Sequence, residues 1–368
     1  MTKVSYVELS NYWKLEKHDL SKIIDEVMAA GTFVGGRYVD EFERNVEKYT
    51  GAKYCVSLNS GTDALVCAMV ALGIRPGDEV ITPPNSFVAS TAAIVHIGAV
   101  PVFVDVLQDQ TIDPFKIREA ITSKTKAIMP VHLTGRMCKM DEINSIAKEY
   151  GLMVLEDSAQ SIGSSFKGVM SGRASNVGCF SAHPLKNLNA CGDAGFIITD
   201  DAGVAQDIKS MRNHGLVARN TVEKFGYVSR MDALQAAILS YRLDRIDSVI
   251  KTRRRNAFLY RELLDTRYVY MPEESEAYFN TFHTFVIQVD KRDELLACLG
   301  DNGVQTAIHY PVPIHIQPAA KYLGYSEGDF QNTESQASRI LTLPINQFIT
   351  EKQIEYVASV INKFYGNS

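Results

Sequence analysis

Short apolar runs alternate with helical patterns along roughly the first two thirds of the chain. The runs are apolar on both faces and rich in β-branched residues, which is typical of buried parallel strands. Between them, apolar residues recur at spacings of three and four, as Leu65, Met69 and Leu72 do in a helix predicted over 61–72. The predicted strands are residues 54–58, 79–82, 101–106, 127–131, 153–156, 178–181 and 195–199. This alternation predicts an α/β fold whose mostly parallel sheet is covered on both faces.

The pattern changes beyond residue 230. One long helix is predicted over 232–264, because apolar residues recur there at multiples of four. These residues are Leu234, Ile238, Ile246 and Ile250. The basic run 251–255 inside this helix is interpreted as a helix face turned towards solvent.

The last part of the chain is predicted to contain shorter elements. Strands are expected over 282–289 and 305–309, and a final helix is expected over 351–365. We therefore predict a large α/β domain over residues 1–245, followed by a smaller α+β domain over residues 246–368.

Composition and charge narrow the functional classes. The chain has 368 residues, of which 46% are hydrophobic and 22% charged, an ordinary composition for a globular protein of about two domains. Its formal net charge is −5, whereas proteins that read nucleic-acid phosphates normally carry a basic surplus, so we expect no nucleic-acid partner.

The six cysteines are dispersed and form no C-x-x-C pair, which argues against a structural zinc site and a disulfide framework. No apolar stretch suits a signal peptide or approaches the ~20 residues of a membrane span. We expect a cytoplasmic protein with no metal and no membrane partner.

Several common α/β functions lack sequence support. The chain contains neither a G-x-G-x-x-G fingerprint nor a G-x-x-x-x-G-K-[ST] loop, which argues against Rossmann dinucleotide binding and P-loop chemistry. It also lacks H-E-x-x-H and G-x-S-x-G, the signatures of zinc peptidases and of α/β-hydrolases.

Four other segments carry candidate chemistry, and the first lies at residues 57–65. A predicted strand ends there in small polar residues that open the next helix. Backbone N–H groups at a helix start, with the positive end of the helix dipole, suit a phosphate group. Ser60, Gly61 and Thr62 would supply such donors. A plain serine N-cap explains the same string equally well.

The second and third segments contain Asp157 and Lys186. Asp157 follows a buried strand at its carboxyl end, where open α/β sheets bind ligands. Such an acid needs a cationic or hydrogen-bonding partner, and the alternative is an N-cap or a buried structural pair. Lys186 lies 29 residues later in a strand-to-strand connection. A partly desolvated lysine has a lowered pKa and can attack a carbonyl group to form a Schiff base, although most lysines are solvated surface residues.

The fourth segment places Phe87 shortly after the strand predicted over 79–82, at the same edge of the sheet. An aromatic side chain there can stack on a planar ring. The alternative is that Phe87 packs in the core.

Taken together and in this order, three strings resemble the DegT/DnrJ/StrS family of sugar aminotransferases. They are Asn59-Ser-Gly-Thr62, Glu156-Asp-Ser-Ala-Gln160 and the segment around Lys186, Phe180-Ser-Ala-His-Pro-Leu-Lys-Asn. The resemblance extends from Gly31-Thr-Phe-Val-Gly-Gly to Leu343-Pro-Ile-Asn, which is nearly the whole chain. It implies a pyridoxal-phosphate enzyme of the aspartate aminotransferase fold (fold type I). In that fold, a large domain with a mostly parallel mixed sheet precedes a smaller α+β domain.

The resemblance also implies roles for single residues. Lys186 would form the internal aldimine with pyridoxal 5'-phosphate (PLP), and Asp157 would pair with the pyridinium nitrogen. Phe87 would stack on the ring, and Gln160 would bond near the ring hydroxyl. The phosphate would be held by Ser60, Gly61, Thr62 and Ser181.

The chain departs from the family pattern at two positions. The family usually has Gly-Tyr-Asn-x-Arg where this chain has Gly226-Tyr-Val-Ser-Arg230. The asparagine typically reaches the cofactor phosphate of the neighbouring subunit, so either Ser229 or another donor replaces it, or the phosphate has one contact fewer. His183 stands where the family often has an aromatic residue. The tentative substrate residues are His183, Arg230, His309 and Tyr310.

The implied reaction is transfer of an amino group from L-glutamate to a keto group of a nucleotide-linked sugar. It would pass through pyridoxamine 5'-phosphate (PMP), release 2-oxoglutarate and supply an amino sugar for a surface polysaccharide or glycoconjugate. The implied assembly is a homodimer with shared active sites. Two alternatives stay open: a sugar dehydratase of the same fold, whose relatives carry histidine in place of the lysine, and a non-catalytic PLP-binding regulator.

Overall fold

The computed structural model describes residues 3–366, and helices flank a central sheet. The α-helices are α1 (Leu9–Ala30), α2 (Arg37–Thr50), α3 (Gly61–Ala71), α4 (Val88–His96), α5 (Pro114–Ala120), α6 (Met140–Tyr150), α7 (Ala202–Met211), α8 (Ala233–Leu243), α9 (Ile246–Leu263), α10 (Arg292–Asp301), α11 (Gln331–Arg339) and α12 (Glu351–Phe364). The strands are β1 (Tyr54–Leu58), β2 (Glu79–Thr82), β3 (Val100–Phe103), β4 (Thr125–Ile128), β5 (Met153–Asp157), β6 (Ser165–Phe166), β7 (Val169–Met170), β8 (Val177–Ser181), β9 (Gly195–Thr199), β10 (Leu216–Ala218), β11 (Thr221–Val222), β12 (Val269–Tyr270), β13 (Tyr278–Phe279), β14 (Phe285–Val289) and β15 (Ile340–Leu343).

Seven strands form the central sheet in the order β1-β9-β8-β5-β4-β2-β3. Strand β9 is antiparallel to both of its neighbours, and the other pairings are parallel. The carboxyl ends of β1, β2, β5 and β8 therefore lie at one edge of the sheet. Each predicted strand of this region is present, and the bounds of β1, β2 and β9 agree with the prediction.

Two predicted strands are displaced by a few residues. β3 ends at Phe103, although the buried residues Val104 and Val106 continue the apolar run, and β4 likewise ends before Met129 and Val131. Buried positions are usually apolar whether or not their backbone belongs to the ladder, so the pattern does not locate the end of a strand when the apolar run continues beyond it.

Each face of the sheet has its own hydrophobic core, which explains why its strands are apolar on both sides. On one face, α1, α2 and α8 pack on the sheet, with Phe42 against Phe196. On the other face, α3, α4 and α7 pack on it through residues such as Met69 and Ile94. The large mostly parallel mixed sheet is confirmed.

The prediction of one helix over 232–264 is wrong, because the chain turns at Asp244 and Arg245 between α8 and α9. Helix α8 packs against α1 and α2, whereas α9 packs against α12. At the end of α8, Arg242 is fixed by Glu16 at 2.7 Å and by the backbone carbonyl of Asn189 at 2.7 Å. Because the two halves pack against different helices, one straight helix could not make both sets of contacts.

The C-terminal part has a small antiparallel sheet in the order β12-β14-β15. The strand predicted over 305–309 is wrong: only Ala307 forms an isolated bridge there, to Thr342, and β15 is the strand that pairs with β14. The N-terminal residue Val4 also packs into this core. A domain boundary after residue 245 stays a prediction. None of the helices in residues 3–366 is both long enough and apolar enough to cross a membrane.

Candidate active site

A cavity of about 450 Å³ opens at the edge where the carboxyl ends of β1, β2, β5 and β8 meet. Nearly all of the residues predicted for the site line it: Ser60, Gly61, Thr62, Phe87, Asp157, Gln160, Ser181, His183, Lys186, His309 and Tyr310. The sheet brings these residues together from segments that are far apart in the sequence. Arg230 is the predicted residue that does not line the cavity.

Asp157 is the last residue of β5 and is buried. One carboxylate oxygen accepts a hydrogen bond from the hydroxyl of Ser90 at 2.7 Å, and the other accepts one from the backbone N–H of Ala159 at 3.2 Å. Ser90 lies on α4 and is itself buried. These two donors fix the carboxylate and offset part of its desolvation cost.

Lys186 lies in the connection between β8 and β9 and also faces the cavity. Burial lowers the pKa of its amine to about 8, although the nearby Asp157 carboxylate acts in the opposite direction. The connection is fixed by Asn187, whose amide donates to the carbonyl of Thr281 at 3.2 Å, and by Asn189, whose amide donates to the carbonyl of Pro184 at 3.0 Å. The position therefore provides an amine that is partly neutral near physiological pH.

The start of α3 forms a tight cradle against the neighbouring strands. A Cβ on Gly61 would lie 2.7 Å from Cβ of Ser181, and a Cβ on Gly195 would lie 2.3 Å from the carbonyl carbon of Ser60. The hydroxyl of Ser60 accepts from the backbone N–H of Asp63 at 3.1 Å, so Ser60 is also the N-cap. Since the first N–H groups of a helix have no intrahelical partner, this cradle fits a phosphate group.

Phe87 and Gln160 face the same cavity. Phe87 is 54% exposed, so the alternative that it packs in the core is wrong. Its ring lies 5.7 Å from that of Tyr310, between centroids. The amide oxygen of Gln160 accepts from the backbone N–H of Thr134 at 2.8 Å. This bond orients the amide group of Gln160.

The segment around His309 and Tyr310 closes the cavity from the C-terminal part of the chain. His309 bonds through Nδ1 to the hydroxyl of Thr342 at 2.9 Å. Burial, with the nearby charge of Lys186, lowers the pKa of His309 to about 4, so its ring is neutral. Burial raises the pKa of Tyr310 to about 12, so its hydroxyl keeps its proton. His183, by contrast, is exposed at the cavity wall.

The segment Gly226–Arg230 lies apart from the cavity of its own chain. Arg230 donates to the amide oxygen of Asn213 at 3.1 Å, and Val228 is 59% exposed. Ser229 is buried, donates to the carboxylate of Asp63 at 2.7 Å and accepts from the backbone N–H of Asn59 at 3.2 Å. Its hydroxyl therefore braces the start of α3 within its own subunit.

This arrangement agrees with the comparisons with known proteins. Residues 14–362 match the model of the DegT/DnrJ/EryC1/StrS aminotransferase family. The chain belongs to this family. The match confirms the predicted family and the expected enzyme class, a transaminase.

Two curated relatives illustrate the range of names in the family. A "pleiotropic regulatory protein" of Geobacillus stearothermophilus is 39% identical over 98% of both chains. A dTDP-3-amino-3,6-dideoxy-alpha-D-galactopyranose transaminase of Aneurinibacillus thermoaerophilus is 37% identical over 98% of this chain and 99% of its own.

Solved structures confirm the fold. S. venezuelae DesV, in complex with a ketimine intermediate, superposes with a TM-score of 0.97 at 34% identity over 100% of both chains. Bacillus subtilis NtdA, with bound cofactor PMP, superposes with a TM-score of 0.90 at 34% identity, covering 98% of this chain and 86% of its own.

Several residues that line the cavity were not among the predicted site residues, and Arg253, His283 and Gln347 are three of them. The interpretation of 251–255 as a solvated face is wrong for Arg253, which is only 6% exposed. Arg253 follows Ile246 and Ile250 at helical spacing and precedes Ala257, so the buried stripe of α9 already contained the signal. His283 and Gln347 carried no pattern of their own.

Proposed function

We propose that the protein transfers an amino group from L-glutamate to a keto group of a nucleotide-linked sugar, with PLP as cofactor and PMP as its aminated form. The observation that carries this proposal is the placement of Lys186 and Asp157 in one cavity with the glycine-lined start of α3. The names of relatives, such as the dTDP-aminosugar transaminase of A. thermoaerophilus, support the nucleotide-sugar substrate.

The residues present fit the cofactor. Gly61, Thr62 and Ser181, with Ser60, would hold its phosphate. Asp157 would pair with the pyridine nitrogen, and an ionised carboxylate there keeps that nitrogen protonated. Phe87 would lie against the ring, and Gln160 would reach the ring hydroxyl. The structure of NtdA with bound PMP supports the choice of cofactor.

When bound, PLP supplies an electron sink for the pair left behind when a proton leaves the amine-bearing carbon. The protein supplies the base that removes this proton. With a pKa of about 8, Lys186 is protonated in part and neutral in part near neutral pH, as a group that both accepts and returns a proton should be. The hydroxyl of Ser90 holds the carboxylate of Asp157 in position.

The half-reaction with the donor tests this proposal. L-Glutamate is added to the PLP-loaded protein without any sugar. It should release one equivalent of 2-oxoglutarate and bleach the yellow absorbance band of the bound PLP. Lys186→Ala should release none, because no positioned base remains. Lys167→Ala, which removes an exposed lysine paired with Asp141, is the matched control and should react as the wild type does.

The outcomes separate the proposal from its alternatives. If glutamate is inert and another amino acid bleaches the band, the donor assignment is wrong. If no amino acid does so, the proposed transfer from an amino acid is wrong, and a non-catalytic PLP-binding regulator becomes the better interpretation. A dehydratase is disfavoured by Lys186 itself, because dehydratases of this fold carry histidine at that position.

The setting of the reaction is part of the same proposal. We further propose that the protein acts in the cytoplasm and that its product is an amino sugar for a surface polysaccharide or glycoconjugate. We further propose a homodimer with shared active sites as the smallest active unit. The exposed segment around Val228 is the part of each subunit that would approach the partner's cofactor.

A further inference from the structure

A histidine and a glutamate are buried together behind the cavity, and the proposed function gives neither of them a role. Nε2 of His132 lies 2.8 Å from a carboxylate oxygen of Glu156, neither side chain has exposed surface, and neither residue lines the cavity. Glu156 directly precedes Asp157 in β5. Because successive side chains of a strand point to opposite faces of the sheet, the pair lies on the far side of β5 from Asp157. Two ionisable side chains are costly to bury unless they are well hydrogen-bonded.

Both ring nitrogens of His132 are hydrogen-bonded. The backbone N–H of Cys138 donates to Nδ1 at 3.1 Å, so Nδ1 is the acceptor, and Nε2 carries the proton that is donated to Glu156. The carboxylate of Glu156 accepts three more hydrogen bonds, at 2.8 to 2.9 Å, from the backbone N–H groups of Gly172 and Ala174 and from the hydroxyl of Ser175. The ring of His132 therefore ties the segment 132–138 to a firmly held side chain of β5.

The segment that His132 anchors contains a residue in an unfavourable backbone conformation. Thr134 has a φ of 66°, in the left-handed region that β-branched residues rarely adopt. A residue keeps such a conformation only where its surroundings hold it. The backbone N–H of His132 donates to the carbonyl of Asp157 at 3.0 Å, in addition to the two hydrogen bonds of the ring. These hydrogen bonds fix the chain two residues before Thr134.

Thr134 in turn determines the orientation of the amide group of Gln160. The backbone N–H of Thr134 donates to Oε1 of Gln160 at 2.8 Å. Because a backbone N–H only donates, this contact requires the amide oxygen and leaves the NH2 group of Gln160 for the cavity that Gln160 lines. The NH2 group bonds the hydroxyl of Tyr310 and has a second N–H for a ligand. A reversed amide would present an acceptor to the cavity instead.

We propose that His132, anchored by Glu156, is a positioning residue that keeps the NH2 group of Gln160 turned towards the cofactor. This inference rests on the proposed PLP-dependent function and explains what holds the donor at the ring hydroxyl. A hydrogen bond donated to that oxygen favours its ionised form. The pH at which the yellow band of the bound PLP titrates therefore depends on whether Gln160 donates.

The test measures the midpoint of this titration by absorbance in the PLP-loaded protein. Gln160→Leu removes the donor and should raise the midpoint by about one pH unit, the size expected for a hydrogen bond to a charged group. His132→Asn keeps an acceptor for the N–H of Cys138 but has no donor that reaches Glu156, and it should raise the midpoint by a similar amount. The double variant should shift no further than Gln160→Leu alone, because His132 acts only through Gln160.

His315→Asn is the matched control. Nε2 of His315 lies 2.9 Å from a carboxylate oxygen of Glu334, and His315 is buried and does not line the cavity. This variant should leave the midpoint unchanged. His132→Gln is the conservative variant, because its longer amide can still donate to Glu156, and it should raise the midpoint by a smaller, measurable amount. If the melting curve shows that His132→Asn does not fold, a shift or its absence in His132→Gln decides.

Three results would overturn the inference. If only Gln160→Leu shifts the midpoint, the segment is held without His132, for example by the hydroxyl of Ser164, which donates to the carbonyl of Gly135 at 2.6 Å. If the shifts of His132→Asn and Gln160→Leu add in the double variant, His132 does not act through Gln160. If neither single variant shifts the midpoint, Gln160 is not the donor at the ring hydroxyl.

The proposed function fails by a different result, namely that wild-type protein develops no yellow band with excess PLP. Hydrogen exchange in the cofactor-free protein tests His132 in that case as well. The amide of Thr134 should exchange about 10-fold faster in His132→Asn and in Gln160→Leu, because each variant loosens its hydrogen bond, and at the wild-type rate in His315→Asn. An unchanged rate in His132→Asn would show that His132 does not position Thr134.

Discussion

At the scale of single residues, Asp157 is the group whose charge the chemistry needs most. We expect Asp157→Ala to keep the fold and to lower kcat by about 100-fold or more, because the ring nitrogen would no longer be held protonated. Steady-state kinetics with a keto sugar, together with circular dichroism, would measure both. Turnover within a few-fold of wild type would show that Asp157 does not pair with the pyridine nitrogen.

Lys186 gives a second prediction, which concerns pH. Below its pKa of about 8 the amine is protonated and unreactive, and above this value it is neutral. In the cofactor-free protein, acylation of Lys186 followed by peptide mass spectrometry should therefore be half-maximal near pH 8. Because Asp157 raises the pKa of Lys186, Asp157→Asn should move this midpoint to lower pH. A midpoint near 10.4, the value of an ordinary lysine, would contradict the desolvated environment.

At the scale of elements, the first residue of β9, Gly195, lets the start of α3 lie close to the sheet. Gly195 stands opposite both Leu58 and Ser181 in the ladder. Gly195→Ala would place a Cβ 2.3 Å from the backbone of Ser60, which neither neighbour can avoid without a shift. We expect a loss of about 1–3 kcal/mol in stability and weaker PLP binding, measured by thermal melting and by cofactor titration.

The control for this prediction is Gly192→Ala in the same connection. Its Cβ would meet only the side chain of Gln235, at 3.3 Å. This variant should melt and bind PLP nearly as the wild type does. If both variants behaved alike, the close approach at Gly195 would not be what shapes the cradle.

At the scale of the whole molecule, the hairpin β10–β11 and the residues after it expose apolar side chains. Phe225 is fully exposed, and Val222 and Tyr227 are about half exposed. We expect an exposed apolar patch of this kind to lie at the proposed subunit interface. Phe225→Asp should therefore give a folded monomer in sedimentation velocity, with weaker PLP binding, because each site would lose its partner.

Phe115→Asp provides the comparison, since Phe115 is also largely exposed but lies on α5. It should remain a dimer. A wild-type protein that sediments as a fully active monomer would refute the homodimer and the shared sites together.

The sequence by itself determined the central strands and the residues at their ends. β1, β2 and β9 could be predicted to the residue, because a buried strand bounded by polar turns is a local pattern. Asp157 and Phe87 could be placed at one edge because parallel strands with short connections end on the same side of a sheet. The family resemblance then added the roles of these residues.

Tertiary packing decided what no local pattern contains. The turn at Asp244 exists because α8 and α9 pack against different partners. Residues 305–309 lie beside the outer edge of β15, where Ala307 forms a single bridge to Thr342 and no strand. Phe87 and Arg253 both line the cavity and not the core. Phe87 is exposed there and Arg253 is buried, the reverse of what their residue types predict. The pattern of apolar and charged residues predicts which positions are buried. It does not predict which helix or strand packs over them, because that is decided only in the folded chain.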